Sequence, residues 1–183
     1  MHVTPELDAA FRAAALQEGI VDVRHDAFDS PVGSLQLGWS DRGLCRISYF
    51  EDGFEEDLAR VFGKRVLRAP LDEARRELDE YFEGRRTTFD LPLDLRVAPF
   101  HADVLRELAR VPYGHTDTYG ALARKAGRPG AARAVGTVMN RNPIPIVLPC
   151  HRIIGANGSL TGYAGGLDVK RHLLQLEGAR LPE

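Results

Sequence analysis

The spacing of apolar and polar positions along this chain changes near residue 96. Before that point, Ile20 to Phe28, Leu35 to Trp39 and Leu44 to Phe50 read as short strands with alternating apolar positions. Ser30-Pro31-Val32-Gly33-Ser34 and Ser40-Asp41-Arg42-Gly43 separate them and read as turns. The acid-rich run Glu51 to Asp57 opens a helix predicted to reach about Phe62. A second helix, Leu71 to Phe82, is expected to bury Leu78, Tyr81 and Phe82, and Thr87 to Leu95 reads as a last strand or an extended connector. At the front, residues 4 to 17 predict an amphipathic helix. Thr4 is its N-cap, Pro5 takes its first position, and Ala10, Phe11, Ala14 and Leu16 are available for packing.

After Pro99 the period becomes helical, with Phe100, Val104, Leu105 and Leu108 on one face. The turn Val111-Pro112-Tyr113-Gly114 precedes a helix through Tyr119, Leu122 and Ala123, capped by Thr116 or Thr118. The turn Ala126-Gly127-Arg128-Pro129-Gly130 then leads into a helix from Ala131 to about Arg141, which completes a helix-turn-helix outline. Ala131, Ala132, Ala134 and Gly136 give that helix a small-residue surface with Arg133 as its one long cation. Such a helix suits a narrow groove, with a guanidinium entering the base stack; a packed core helix with one exposed arginine is the alternative. The fold class expected is α/β (α+β). A small N-terminal sheet with flanking helices occupies residues 1–95, residues 1–18 forming an additional helix. A mostly helical part with the helix-turn-helix occupies residues 96–183.

Charge sharpens this division. The formal net charge is only −2, yet residues 111–183 hold nine Lys and Arg against four Asp and Glu, and the rest holds 15 against 22. A basic second half fits a polyanion partner, and equally a set of solvated helix faces. No apolar run approaches the length of a membrane span and the N-terminus lacks a signal-peptide core, so a soluble cytoplasmic protein is expected. Two cysteines are too few for a disulfide framework.

The densest chemistry is Pro149-Cys150-His151-Arg152, reached through the apolar run Ile144-Pro145-Ile146-Val147-Leu148. Cysteine attacks as the thiolate and is mostly protonated at neutral pH. His151 supplies a base and Arg152 a cation beside it. Free cysteine is also among the most buried residue types, so a structural thiol is the competing reading at Cys150 and the preferred one at Cys45.

Asn142-Pro143, Pro149-Cys150-His151-Arg152-Ile153-Ile154, Gly162-Tyr163-Ala164-Gly165-Gly166-Leu167, and Lys170 through Leu173-Leu174 to Glu177-Gly178 together resemble the O6-alkylguanine-DNA alkyltransferases. The likeness is continuous from about Pro99 to Gly178, and Asp29-Ser30-Pro31-Val32-Gly33 with the Gly43-Leu44 strand extends it forward. It implies single-turnover, irreversible transfer of an alkyl group, chiefly methyl, from O6 of guanine in duplex DNA to the protein's own cysteine; O4-alkylthymine is a further substrate of the same kind. The resemblance assigns Cys150 as acceptor, His151 and Glu177 as a relay acting through a bound water, Tyr119 as proton donor to the departing base and Asn142 as hinge. It puts Lys170 near the reacting centre. Arg133 would fill the gap left by the extruded nucleotide. Ala132, Gly136, Arg128, Arg141 and Arg152 would meet DNA, and Met139, Pro145, Tyr163 and Ala164 the base or its alkyl group. The backbone carbonyls of Cys150 and Ile153 would accept from the exocyclic amine.

The chain departs from the family's pattern at His101 and Leu105, where Gln and Trp are usual, at His172, usually aromatic, and at Asp117, usually apolar. Some relatives carry a zinc site near the N-terminus. Here only Cys45, His2 and His25 are available, so neither metal nor cofactor is expected. A monomer is expected, with several copies able to lie along one DNA. A thiol hydrolase and a DNA-binding module without chemistry are the alternative functions.

Overall fold

The computed structural model describes residues 4–180. The hairpin β1 (Val23–Ser30) and β2 (Gly33–Ser40) continues into β3 (Gly43–Ser48). β1 also pairs in parallel with β4 (Val66–Arg68), giving the sheet order β3-β2-β1-β4. Ser30 shapes the first turn, its hydroxyl donating to Gly33 O at 2.6 Å while Val32 N donates back to it at 3.2 Å. Gly43 ends the second turn at φ 134°, and a Cβ there would lie 2.2 Å from Pro92 O. The missing side chain lets the segment after residue 86 run against β3, where Leu44 N donates to Pro92 O at 2.8 Å and Asp94 N to Leu44 O at 3.0 Å. That segment is therefore a connector with a single β-bridge, Leu44 to Leu93, and contributes no strand.

Helix α1 spans Pro5–Gln17, α2 Phe54–Phe62 and α3 Asp72–Phe82. Helix α2 buries Phe54 and Leu58 against Val23 and Cys45. Helix α3 buries Leu78 and Tyr81 with Phe28, Leu35 and Leu37, and Phe82 stays half-buried. Thr4 caps α1 as expected, accepting from Leu7 N. The packing face expected for α1 is not buried, however. Ala10 and Ala14 are exposed, Phe11 is 66% and Leu16 38% accessible, and Ala15 alone among its described side chains is covered. A polar tie, Arg12 Nη1 to Arg68 O at 2.8 Å, holds the helix to β4. Ile20 also lies outside the sheet, because β1 begins only where Asp22 and Arg65 pin it beside β4.

Helices α4 (Pro99–Leu108), α5 (Tyr119–Lys125) and α6 (Ala132–Asn140) form the second part. Thr118 caps α5, and Gly127 and Gly130, both at positive φ, carry the turn into α6. A two-residue parallel pair, β5 (Asp117–Thr118) with β6 (Ile153–Ile154), and helix α7 (Leu167–Leu176) complete the chain. Among the described residues, no helix is long and apolar enough to cross a membrane. The change in sequence texture near residue 96 is not a break in the core. Leu35, Leu37 and Tyr81 share one apolar cluster with Leu105, Leu122, Ile144 and Leu173. Each such fully buried side chain contributes about 1.5–3 kcal/mol, and the cluster fixes the first part against the elements that carry Cys150.

Candidate active site

Cys150 opens a single 3-10 turn, Cys150–Arg152, directly before β6. The loop that leads to it is stapled by one side chain. Asn142 Oδ1 accepts from Ile144 N at 3.1 Å, and Asn142 Nδ2 donates to Leu148 O at 2.8 Å. Within the staple Ile146 sits at φ 75°, a left-handed conformation that costs a β-branched residue about 1–3 kcal/mol. Buried surroundings over-determine it, since Ile144, Ile146 and Leu148 are all in the core. Ile47 N reaches across from β3 to Pro143 O at 2.9 Å.

The Cys150 thiol is only 4% accessible. Burial pushes its pKa up to about 11, although the neighbouring Asn142 side chain and the charge of Lys170 both pull the other way. Lys170 is itself buried, donating to Ile153 O at 2.6 Å and Thr161 O at 3.1 Å, and burial brings it down to about 8. The Ile153 carbonyl, expected to accept from the guanine amine, is thus already taken once by an ammonium and keeps one lone pair.

His151 is fully buried, and its Nε2 lies 2.7 Å from Glu177 Oε1. Burial disfavours the imidazolium, against the pull of Glu177. The neutral ring therefore carries its proton on Nε2, facing the carboxylate, and offers Nδ1 as an acceptor. Nδ1 is buried without a hydrogen-bond partner among the described residues. Burial works against the Glu177 carboxylate, yet hydrogen bonds from His151 and Arg152 outweigh it and hold its pKa at about 2. Glu177 caps the C-terminus of α7, where the helix dipole opposes a negative charge.

Arg152 offsets that charge. Its Nε and Nη2 donate to Glu177 Oε2 and Oε1 at 2.8 and 2.9 Å, and Nη1 donates to Val111 O at 2.6 Å. The expectation that Arg152 meets DNA is corrected here. At 6% accessibility, with its donors turned onto Glu177 and Val111, it is an internal counter-ion. Neither Tyr81 nor Tyr49 was anticipated in this region. Tyr81 OH donates to Glu177 Oε1 at 2.8 Å, and Tyr49 OH lies 2.8 Å from Tyr163 OH. Ring packing alone was legible at Tyr81; no local signal ties a tyrosine to a carboxylate 96 residues away.

Two clefts share Asn140, and none of Cys150, His151 and Arg152 lines either of them. One, of about 390 Å³, is lined by Arg46, Tyr49, Arg141, Asn142, Pro145 and Ala164. The other, of about 380 Å³, is lined by Tyr119, Ala132, Arg133, Gly136, Thr161 and Gly162, and Tyr119 OH lies 2.7 Å from Thr161 Oγ1. The structure thus brings Pro145 and Ala164 together at one cleft, and Ala132, Arg133, Gly136 and Tyr119 at the other. Tyr163 stacks edge-on to His151. Met139 does not join them; it is buried in the core and lines neither cleft. Arg128 and Arg141 are exposed, Arg128 in the turn before α6 and Arg141 at its end.

The departures from the family pattern have local accounts. Leu105 is wholly core, and Asp117 is paired with Lys125 Nζ at 2.8 Å while accepting from Thr118 N. His101 is half-buried and its Nε2 has no partner among the described residues; His172 is exposed. Cys45 is buried, with its thiol pushed up to about 12 by burial, and His25 lies 3.2 Å from Glu55. His2 lies outside the described residues.

Comparison with known proteins agrees with this geometry. Residues 23–95 match the family model described as 6-O-methylguanine DNA methyltransferase, ribonuclease-like domain, and residues 99–179 the model described as 6-O-methylguanine DNA methyltransferase, DNA binding domain. The methylated-DNA–protein-cysteine methyltransferase of Methanosarcina acetivorans is 42% identical over 161 residues, covering 83% of this chain and 96% of its own length. Among solved structures, the Mycobacterium tuberculosis O6-methylguanine methyltransferase superposes with a TM-score of 0.77 at 42% identity, covering 87% of this chain and 95% of that one. A structure of the M. tuberculosis protein in complex with DNA matches at the same TM-score and 41% identity, with the same coverage.

Proposed function

Because the chain belongs to the 6-O-methylguanine DNA methyltransferase family, we propose that it repairs duplex DNA by moving a methyl or larger alkyl group from O6 of guanine onto Cys150, once per molecule. The observation that carries this reading is the state of His151. One ring nitrogen is committed to Glu177, and the other, buried Nδ1, has no partner among the described residues. A resting thiol with a pKa near 11 leaves about one molecule in 10⁴ as thiolate at pH 7. The thiol is therefore inert until a base takes its proton, and Nδ1, through a bound water, is the base in reach. Cys45, at about 12 and without such a base, stays a core thiol.

In the transfer step the Cys150 proton passes to His151. The sulfur then bonds to the alkyl carbon as the carbon–O6 bond breaks, and the electron pair departs on the guanine. Tyr119 supplies a proton to the departing base. Glu177 remains a carboxylate throughout and stabilises the imidazolium that forms, and Lys170 adds positive charge beside the developing thiolate. Asn142 holds the loop, and its amide favours the thiolate over the thiol. The reacting carbon lies inside the duplex, so the nucleotide must leave the stack. Arg133 takes its place from the small-residue surface of α6, with Ala132 and Gly136 allowing close approach and Arg128 and Arg141 meeting phosphates. Pro145, Tyr163 and Ala164 receive the extruded base. Met139 supports this pocket from the core.

We assign the chemistry and the DNA face to residues 96–183, with residues 1–95 bracing the site through Tyr49 and Tyr81. The protein works as a monomer, with several copies able to occupy one DNA, in a reducing compartment such as the cytoplasm, where both free cysteines persist. Intact-mass measurement after incubation with duplex DNA containing O6-methylguanine tests the reading. One methyl is gained per chain, peptide mapping places it on Cys150, and no further turnover follows. Repeated turnover, or transfer by Cys150→Ala, would overturn it.

A further inference from the structure

We propose that Tyr81, contributed by helix α3 of the N-terminal part, is a positioning residue of the alkyl-transfer relay, acting on His151 through Glu177. The inference rests on the transfer reading above and adds to it a residue outside the segment that carries the chemistry.

Tyr81 is fully buried, and its ring is held by Phe82, Phe89 and Tyr113 at centroid distances of 5.3, 5.4 and 6.1 Å. Its hydroxyl points at one atom. Glu177 Oε1 accepts from Tyr81 OH at 2.8 Å, His151 Nε2 at 2.7 Å and Arg152 Nη2 at 2.9 Å, while Oε2 accepts from Arg152 Nε and Gly114 N. A carboxylate oxygen shared among three donors gives each less electron density than it would give one alone. Tyr81 thereby moderates the hold of Glu177 on the imidazolium, so that His151 stays neutral at rest and free to take the Cys150 proton. It also fixes the plane of the carboxylate, and with it the direction of Nδ1.

The other groups facing this pair do not duplicate that role. From the 3-10 turn come Cys150 and the Arg152 cation, and from α7 the Lys170 ammonium, which is committed to the Ile153 and Thr161 carbonyls. Tyr163 meets the His151 ring edge-on and bonds to Tyr49. Tyr113 stacks on Arg152 and donates to Leu176 O at 3.2 Å, leaving Glu177 untouched. Burial and the adjacent carboxylate keep the Tyr81 hydroxyl protonated, so it is a donor at every pH of interest.

Tyr81→Phe keeps the ring and removes only the hydroxyl. With one donor gone, Glu177 holds the imidazolium more tightly and the His151 pKa rises. Transfer then falls mainly on the acid side, where more of the His151 is already charged. The measurement is the single-turnover rate on O6-methylguanine duplex between pH 5 and 9 for wild type, Tyr81→Phe and the control Tyr113→Phe, with urea midpoints taken alongside. The acid limb of the Tyr81→Phe profile should move up by about half a pH unit or more, giving a loss that approaches about threefold at the acid end of the limb and narrows toward pH 9. Tyr113→Phe should leave the limb in place. Alkylation of Cys150 by iodoacetamide, which needs no DNA, should show the same shift. An unchanged limb, an equal loss at every pH, or a Tyr81→Phe chain that does not fold would make Tyr81 a fold residue and overturn the proposal. Wild-type protein that accepts no methyl from DNA would instead sink the transfer reading, and the iodoacetamide profiles would still decide the role of Tyr81.

Discussion

Replacing Glu177 by glutamine tests how the buried charges around Cys150 are balanced. The wild-type carboxylate is held near pKa 2, against an ordinary value of 4.5, by His151 and Arg152. That difference corresponds to about 3 kcal/mol of folding stability at neutral pH. The same figure follows from the other side of the pair. Glutamine leaves Arg152, at 6% accessibility, as a buried cation without a counter-ion, and breaking such a pair costs about 3–5 kcal/mol. A depressed carboxylate stabilises the fold above its unfolded pKa, and that stabilisation is lost as pH falls from about 4.5 toward 2. The gap between wild type and Glu177→Gln should therefore be about 3 kcal/mol at pH 7 and shrink toward pH 3. Urea unfolding at the two pH values, with slopes compared to confirm two-state behaviour, measures it. Transfer should slow in the variant, because an amide stabilises the imidazolium poorly, while DNA affinity of the folded fraction should change little. A gap below 1 kcal/mol at pH 7, or one equally large at pH 3, would refute the charge balance described here.

Two further perturbations separate the DNA face from the relay. Arg133→Ala should reduce transfer from duplex DNA far more than transfer from a free O6-alkylguanine base, which needs no extrusion. The ratio of the two rates at one salt concentration decides it, and an unchanged ratio leaves Arg133 a surface charge. Gly136→Ala should raise the melting temperature, since alanine is favoured over glycine within a helix by about 0.5–1 kcal/mol and a Cβ there meets the Tyr119 ring only at 3.9 Å. The same methyl should weaken duplex binding by about tenfold where α6 approaches DNA closely, and a variant that is both more stable and binds as tightly would show that the small-residue surface serves packing alone.

Much of the fold was legible because its signals are local. Alternation and turn chemistry located β1 to β3 within a few residues, and apolar spacing, a capping threonine at α5 and the glycine turn before α6 located α3 to α6. Strand β4 and the two-residue β5–β6 pair were not, since three and two residues carry no periodicity and exist only through their partners. Helix α1 shows the converse failure. Its pattern and cap correctly indicated a helix, but whether an apolar face is covered depends on what lies beside it, and Phe11 remains open.

At the site, the chemical identity of each group was a property of the sequence. A thiol beside an imidazole offered a nucleophile and a base, with a structural thiol as the competing reading, and the resemblance to the alkyltransferases gave Asn142 a hinge role and Glu177 an orienting one. Their electrostatic state was not. The same Arg-type cation is a phosphate contact when exposed and an internal counter-ion when buried, and only the close approach of α7 to the 3-10 turn made Arg152 the second. The resting thiol near 11, the carboxylate near 2 and the tyrosine that joins them from α3 all arise from removal of water and from distances across the chain. Sequence named the candidate groups because reactivity resides in side-chain chemistry; tertiary structure decided which of them are charged and which way they face, because solvation and Coulomb energies depend on burial and separation.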